Sequence, residues 1–240
     1  MTVLHGMTWE HPRGYDCQVA AAEEYARLTG VEVRWEQRSL QAFADAPLDD
    51  LAARYDLLVI DHPHVPLAVA QGVLAPLDGA GHDDRLAALA ADAVGESHAS
   101  YAVGGRQYGL ATDAAAQVAV HRPDLLATPP ADWDEVLALA GEGRVLWPCK
   151  PIDAYSTLCT LAAGRGTPVG AEPGTFLPAE VAGELLELMH RLAERVPAWC
   201  LRANPIDVCE ALSTHDEERW AYCPLGYGYT NYSRAGFRPH

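Results

Sequence analysis

A near-continuous apolar run at residues 55–60 is the feature that most constrains the fold. Its length suits one strand, and its composition suits a strand of a parallel sheet that is covered on both faces. The run stops at the polar segment Asp61-His62-Pro63-His64. Further strands are predicted at residues 2–7 and 31–35, with helices between them. This alternation indicates an α/β fold with a parallel sheet.

The alternation of predicted strands and helices continues as far as Gly104, and after it the pattern changes. Asp16 is expected to cap a helix that ends at Gly30, where glycine supplies the stop. Residues 105–122 read as two extended segments around Asp113. The remaining predicted helices are 48–54, 65–71, 83–93, 123–127, 132–141 (capped by Asp132), 153–163 (capped by Asp153), 178–196 and 205–212, with short strands at 145–147 and 219–225.

The charge balance excludes two classes of partner. Seventeen Lys and Arg residues face 33 Asp and Glu residues, the net charge is −16, and Lys150 is the single lysine. Binding to nucleic acid or to an anionic membrane surface requires clustered cations, which this chain lacks. No apolar stretch approaches the roughly 20 residues of a membrane span, so no membrane insertion is expected. Residues 1–16 contain neither the basic nor the apolar region of a signal peptide.

Motifs for metals, cofactors and catalysis are missing as well. The six cysteines form no C-x-x-C pair, so buried free thiols are expected rather than a structural metal. His62 and His64 beside Asp61 do not complete a ligand set by spacing. Neither a phosphate-binding glycine loop nor a serine nucleophile elbow is present. We therefore expect no cofactor, no metal and no catalytic residues.

Polar and aromatic side chains collect in the loops after the predicted strands, where α/β sheets bind ligands. Rings to stack on and fixed donors and acceptors suit a small polar solute. Other roles remain open: Trp9 packing on the first helix, a Glu10–Arg13 surface pair, capping by Asp61 and His62, and a surface position for Lys150. The candidates are Trp9, Glu10, His11, Arg13, Asp61, His62, Lys150, Asp153, Tyr227 and Tyr229.

Several segments, taken in order, resemble one family. They are LHGMTW at 4–9, YDLLVID at 55–61, GRQYGLA at 105–111 with VAVHRPDLL at 118–126, PPADWDEV at 129–136, and RWAY at 219–222 leading to Gly226-Tyr227. In this order and spacing they resemble the extracellular solute-binding proteins of ABC importers. The segment at 129–136 departs from the family's P-x-T-W-D-E pattern by having Ala131 and Asp132 before the tryptophan.

The resemblance implies a periplasmic-binding-protein-like type II fold, with two α/β lobes around a ligand cleft joined by extended hinge crossings. Lobe 1 would be residues 1–110, the first crossing 111–118 and lobe 2 119–240. Asp113 of the crossing would join the ten candidates in binding a carbohydrate-like solute. Because Arg13 and Lys150 could hold a carboxylate, a sugar acid or an organic acid stays open beside a neutral sugar.

The resemblance also implies a monomer that is not an enzyme, works with the membrane permease of an importer, and is periplasmic or extracellular. Set against the family, an export signal before the first strand and the C-terminal return to lobe 1 are expected to be missing. If Met1 is the true start, a cytoplasmic location follows. The alternatives are then an intracellular solute sensor of the same fold, or a metal-dependent or acid/base enzyme using His11, Asp61 and His62.

Overall fold

A computed structural model describes residues 2–39, 47–214 and 220–239 of the chain. The chain divides between Ala114 and Ala115 into two compact units, which we call unit 1 and unit 2. The division falls inside residues 111–118, the segment expected to be the first crossing. Its role as a hinge, and lobe boundaries at 110 and 119, stay predictions.

Unit 1 is built around a parallel sheet with strand order β2-β1-β3. Strand β1 is Val3–Trp9, β2 is Glu32–Arg38 and β3 is Leu57–Leu58. Pairing of β1 with β2 continues to Trp9 opposite Arg38, so β1 ends two residues later than predicted. Trp9 is therefore the last residue of a strand and not part of the following loop.

The apolar run at 55–60 forms a shorter and more exposed strand than expected. Leu57 and Leu58 pair with Gly6 and Met7 of β1. Leu57 is 39% exposed, so the prediction of burial on both faces is wrong. Within the described residues β3 is an edge strand, which leaves one side of it unpaired. Beneath the sheet, the core of unit 1 consists of Met7, Leu48, Leu51, Tyr55 and Ala68.

Helix α1, Pro12–Thr29, begins five residues before the predicted start. His11 occupies the N-cap, and its Nδ1 accepts the backbone N–H of Arg13 at 3.1 Å. Pro12 follows at the first helical position, where its missing N–H costs nothing. The prediction that Asp16 caps this helix is wrong, while the stop at Gly30, with φ of 74°, is confirmed.

The remaining elements of unit 1 are short. Helices α2, α3 and α4 are Leu48–Ala52, Val65–Ala70 and Asp83–Asp92. Strands β4, Ala102–Val103, and β5, Arg106–Gln107, form a hairpin that follows the 3₁₀ helix Ala99–Tyr101. Arg106 Nε lies 3.0 Å from an oxygen of Asp78, which ties the hairpin to the preceding loop.

Unit 2 pairs strand β6, Gln117–His121, with strand β7, Tyr222–Tyr227, in antiparallel fashion. Helices α5, α6, α7 and α8 are Trp133–Gly141, Pro151–Gly164, Ala179–Ala193 and Pro205–Thr214. Trp147 is buried at the centre, and its indole N–H donates to Thr157 at 3.1 Å. The core around it includes Val136, Leu146, Leu185, Leu192, Val208 and Leu225.

Several predictions for unit 2 need correction. Residues 123–127 form a turn rather than a helix. Residues 145–147 make a single bridge, Val145 to Tyr222, instead of a strand. Asp153 lies in the first turn of α6, whose N-cap is Lys150, because Pro151 is the first helical residue. The capping role of Asp132 is confirmed. Of the predicted strand 219–225, residue 219 lies outside the described residues.

Candidate functional site

Arg13 is the centre of the candidate residues in unit 1. Its Nε lies 3.2 Å from Oδ2 of Asp113, and its guanidinium lies over the Trp9 ring, 5.9 Å from the centroid. The two charged side chains are 45% and 37% exposed. Such an exposed pair contributes about 0–1 kcal/mol to stability, because water screens it. The pair therefore places two charges at the surface of unit 1 and contributes little to the stability of the fold.

The Trp9 indole rests on the first turn of α1. An ideal Cβ on Gly14 would lie 2.4 Å from the indole ring, so only glycine permits this approach. The hydroxyl of Thr8 donates to the Gly14 carbonyl at 2.9 Å and holds the same turn. The packing role left open for Trp9 is thus present, while the side chain stays half-buried and retains accessible surface.

Tyr101 lies close to both Asp61 and Asp113. Its hydroxyl donates to the carbonyl of Ile60 at 3.2 Å, and its ring packs on Gly109. Burial raises the pKa of Tyr101, and the nearby charges of Asp61 and Asp113 raise it further. The sequence prediction missed Tyr101, because it precedes a two-residue strand and follows no strand whose end could mark it.

The other candidates of unit 1 have different surroundings. Asp61 stands at the N-cap position of the 3₁₀ helix His62–His64 but makes no capping hydrogen bond with its side chain. The ring of His11 is engaged as the N-cap of α1. Glu10, His11, Asp61 and His62 are all exposed. The structure thus joins Trp9, Arg13 and Asp113 directly, and Tyr101 lies close to Asp61 as well as to Asp113.

A pocket of about 280 Å³ lies between α4 and residues 110–114. Leu89, Val94 and Leu110 supply apolar surface, and His98 supplies a polar side chain. Of the predicted site residues, Asp113 lines this pocket while Trp9 and Arg13 do not. Asp113 thus belongs both to the ion pair with Arg13 and to the lining of this pocket. Of these two features, the ion pair is the one that lies against a tryptophan ring.

In unit 2, Lys150 and Asp153 lie where the starts of α6 and α8 meet. The N–H of Lys150 donates to Ala203 at 3.2 Å, just before α8. Asp153 is 7% exposed, and burial raises the pKa of its carboxyl. The ammonium of Lys150 opposes this rise and the carboxylate of Asp207 adds to it. Asp153 thus lies near one lysine and one further carboxylate at adjoining helix N-termini, where the helix dipoles favour negative charge.

The second candidate group of unit 2 is aromatic. The rings of Tyr227 and Tyr229 lie 6.2 Å apart at 38°, and Tyr229 contacts Tyr232 at 6.5 Å. The Tyr232 hydroxyl donates to Glu210 of α8 at 2.7 Å, and Arg238 donates to the same carboxylate. This anchor lowers the pKa of Glu210, chiefly through the hydrogen bond from Arg238. The sequence predicted Tyr227 and Tyr229 as site residues, but it gave no sign of Glu210, which holds this aromatic group through Tyr232.

Two searches of the described ranges, 2–39, 47–214 and 220–239, give negative results. No three of the His, Cys, Asp and Glu residues there lie together in a way that could hold a metal ion. No helix in these ranges has the length and apolar character to cross a membrane.

Residues 20–207 match the family model of bacterial extracellular solute-binding proteins. The chain belongs to this family. The resemblance drawn from the sequence is thereby confirmed. The family consists of solute-binding proteins and not of enzymes, in agreement with the expected lack of a catalytic role. No curated protein is similar enough in sequence to count as a relative.

Solved structures confirm the predicted fold class. An ABC transporter solute-binding protein from Agrobacterium radiobacter K84, in complex with ribitol, matches 99% of this chain with a TM-score of 0.72 and 16% identity. One from Agrobacterium vitis S4, with bound D-mannitol, matches 95% with a TM-score of 0.63 and 17% identity. The maltotriose-binding protein of Thermus thermophilus, bound with maltotriose, matches 97% with a TM-score of 0.64 and 18% identity.

The chain is shorter than these proteins. It spans 63%, 58% and 64% of their respective lengths. At these identities the similarity shows the fold, a two-part α/β solute-binding architecture. The ligand and the transport partner of this chain are therefore matters for proposal.

Proposed function

We propose that the protein is the substrate-binding component of an ABC importer and binds a small neutral polyhydroxylated solute, a polyol or a sugar. The observation that carries the proposal is the group Trp9, Arg13 and Asp113, in which a ring face, a guanidinium and a carboxylate meet at one surface of unit 1. The ribitol, mannitol and maltotriose named with the similar structures support this class of solute.

The chemistry of the group suits hydroxyl-rich ligands. A sugar presents C–H faces that pack on an aromatic ring and hydroxyls that both donate and accept hydrogen bonds. Arg13 donates and Asp113 accepts, so neighbouring hydroxyls can bond to both in the charge-assisted manner. Asp61, which lies close to Tyr101 as Asp113 does, is proposed as a further acceptor.

The charge balance favours a neutral solute over an acid. Arg13 already faces Asp113, with Asp61 close to the same tyrosine. In unit 2, Asp153 lies near Lys150 and also near the carboxylate of Asp207. A bound carboxylate would meet more acceptors than donors in each group, and like charges at short range are unfavourable. We therefore place sugar acids and organic acids second.

Unit 2 offers its own candidate residues for the same solute. Tyr227 at the end of β7 and Tyr229 just after it present two rings, and Lys150 with Asp153 adds a donor and an acceptor at the start of α6. We propose that these four residues bind solute in addition to the unit 1 group. Hinge motion about residues 111–118 and delivery to a membrane permease complete the proposed role.

A thermal-shift panel tests the proposal. Ribitol, mannitol, maltose and maltotriose are compared with gluconate and citrate on the protein expressed from its complete open reading frame. A ligand that binds only the native state raises the melting temperature, and the rise grows with the ratio of its free concentration to its dissociation constant. We expect a neutral compound to stabilise wild type and the Tyr25→Ala control, whose tyrosine lies exposed on α1, but not Trp9→Ala. Stabilisation by none of the neutral compounds would contradict the proposal.

A further inference from the structure

Four of the six cysteines lie close together in unit 2. Cys200 and Cys223 are fully buried, Cys209 is nearly so, and Cys149 is half-buried. Electrostatic interactions connect Cys149 with Cys200, and Cys223 with both Cys200 and Cys209. All six cysteines are free thiols in the structure. No part of the solute-binding proposal uses them.

One pair in this cluster is fixed by the backbone. The N–H of Cys149 donates to the carbonyl of Cys200 at 3.0 Å, and the N–H of Lys150 donates to Ala203 at 3.2 Å. Directly hydrogen-bonded residues of a β-ladder have Cα atoms about 5.5 Å apart. Disulfides span Cα separations of about 4.4–6.8 Å, so a direct backbone hydrogen bond such as this one brings two cysteines into the range in which a disulfide can form.

The Cys200 side chain faces the segment that carries Cys149. The Cys200 thiol receives a hydrogen bond from the backbone of Trp147, two residues before Cys149. Burial raises the pKa of Cys200 to about 11, and the nearby Cys149 adds to the rise. Cys149 keeps partial contact with solvent, whereas Cys200 has none. Cys149 is therefore the thiol that an outside oxidant can reach first.

We propose that Cys149 and Cys200 form a disulfide bond when the protein leaves the reducing cytoplasm. The oxidant is the disulfide of a thiol–disulfide oxidoreductase. The Cys149 thiolate attacks one of its sulfurs and forms a mixed disulfide, and the other sulfur departs as a thiolate. The Cys200 thiolate then attacks Cys149 and releases the oxidant as a dithiol. Two electrons pass to the oxidant, and the two protons of the cysteines go to its thiols.

The bond would connect the 3₁₀ helix Ala198–Arg202 with the segment that leads into α6. It would close a loop of about 50 residues, and loops of this length restrict the unfolded chain strongly. It would also hold the backbone next to Lys150 and Asp153, two of the proposed solute ligands. We expect reduction to lower the melting temperature by about 5–10 °C.

The test is peptide mapping of the exported protein. An export signal is added to the expressed protein, so that the result does not depend on the proposed natural location or on any solute. The protein is purified from the periplasm without reductant, alkylated under denaturing conditions and cut with trypsin. Cleavage gives peptide 145–165, which contains Cys149 and Cys159, and peptide 196–202, which contains Cys200.

We expect these two peptides to be joined before reduction and separate after it. Cys159→Ser keeps the join and the reductant-dependent melting shift, whereas Cys149→Ser loses both. Should Cys149 and Cys200 both carry the alkyl label in the unreduced protein, the proposal is overturned. A bond joining other partners, such as Cys209 and Cys223, overturns it equally.

Discussion

The guanidinium of Arg13 lies 3.2 Å from the carboxylate of Asp113, so the start of α1 is linked directly to the segment at which unit 1 ends. Both side chains are substantially exposed, and the ion pair is accordingly weak. The first prediction concerns Arg13. If it serves solute binding, its substitution should lower solute affinity much more than it lowers the free energy of unfolding.

Arg13→Gln is expected to weaken solute binding at least about tenfold, since it removes a charge-assisted donor worth about 1.5–3 kcal/mol. The free energy of unfolding should fall by no more than about 1 kcal/mol. Arg27→Gln is the matched control, because Arg27 forms an exposed ion pair with Glu24 on the same helix. Calorimetric titration and urea unfolding of both variants measure the two effects. Equal loss of affinity in the control would argue against a specific role for Arg13.

Gly14→Ala is expected to destabilise the protein by about 1–3 kcal/mol, because the added methyl group overlaps the Trp9 ring. Gly183→Ala provides the comparison: Gly183 lies in α7 with open space around its Cβ position, so alanine should stabilise it by about 0.5–1 kcal/mol. Urea unfolding followed by circular dichroism distinguishes the two. Opposite signs are the expected outcome, and a neutral Gly14→Ala would show that Trp9 does not rest on this turn.

Tyr101→Phe is expected to cost about 0.5–1.5 kcal/mol of stability, because the Ile60 carbonyl loses its donor. Solute affinity should fall as well, since the hydroxyl bonds to the carbonyl of Ile60, which directly precedes Asp61 in the chain. Tyr25→Phe serves as control on an exposed tyrosine of α1. Unchanged affinity in Tyr101→Phe would remove this tyrosine from the account of the site.

The pH dependence of stability should differ in sign between two carboxyl groups of unit 2. The pKa of Asp153 is raised above its ordinary value of 3.8 by burial. Its contribution to stability is therefore fully present below about pH 3.8 and is lost as the pH rises through the folded value. Asp153→Asn cannot ionise, so it should become more stable than wild type between pH 3.8 and neutrality.

Glu210 should behave in the opposite way. The hydrogen bond from Arg238 lowers the pKa of Glu210 below 4.5, so its contribution is present above pH 4.5 and is lost as the pH falls through the folded value. Glu210→Gln should therefore cost about 0.5–1 kcal/mol at neutral pH and little in acid, since the partners are partly exposed. Urea midpoints at half-unit steps from pH 3 to 7.5 measure both variants. Parallel curves would refute the opposed signs.

The fold class was predictable from the sequence because strand and helix periods alternate clearly in residues 2–93. Element ends were less predictable. β1 runs on to Trp9 because its partner β2 runs to Arg38, and pairing of this kind is not visible in either strand alone. The helix start moved to Pro12 because a histidine ring acted as N-cap, a residue outside the usual capping types.

The candidate site was predictable only in part, for a similar reason. The loop positions identified Trp9, Arg13 and Asp61, and the family resemblance added Asp113. Tyr101 and Glu210 were missed because each acts through a contact distant in sequence, to Ile60 and to Arg238. A single side chain that bonds to a distant segment leaves no local sequence pattern. Such a residue can be identified only from the three-dimensional structure.

Isothermal titration calorimetry tests the proposed function most directly. Wild-type protein, expressed from its complete open reading frame, is titrated with ribitol, mannitol, maltose, maltotriose, gluconate and citrate. We expect saturable heat at one site per chain for at least one neutral compound and none for the two acids. Folded protein that binds only an acid, or that binds none of the neutral compounds, would contradict the proposed role.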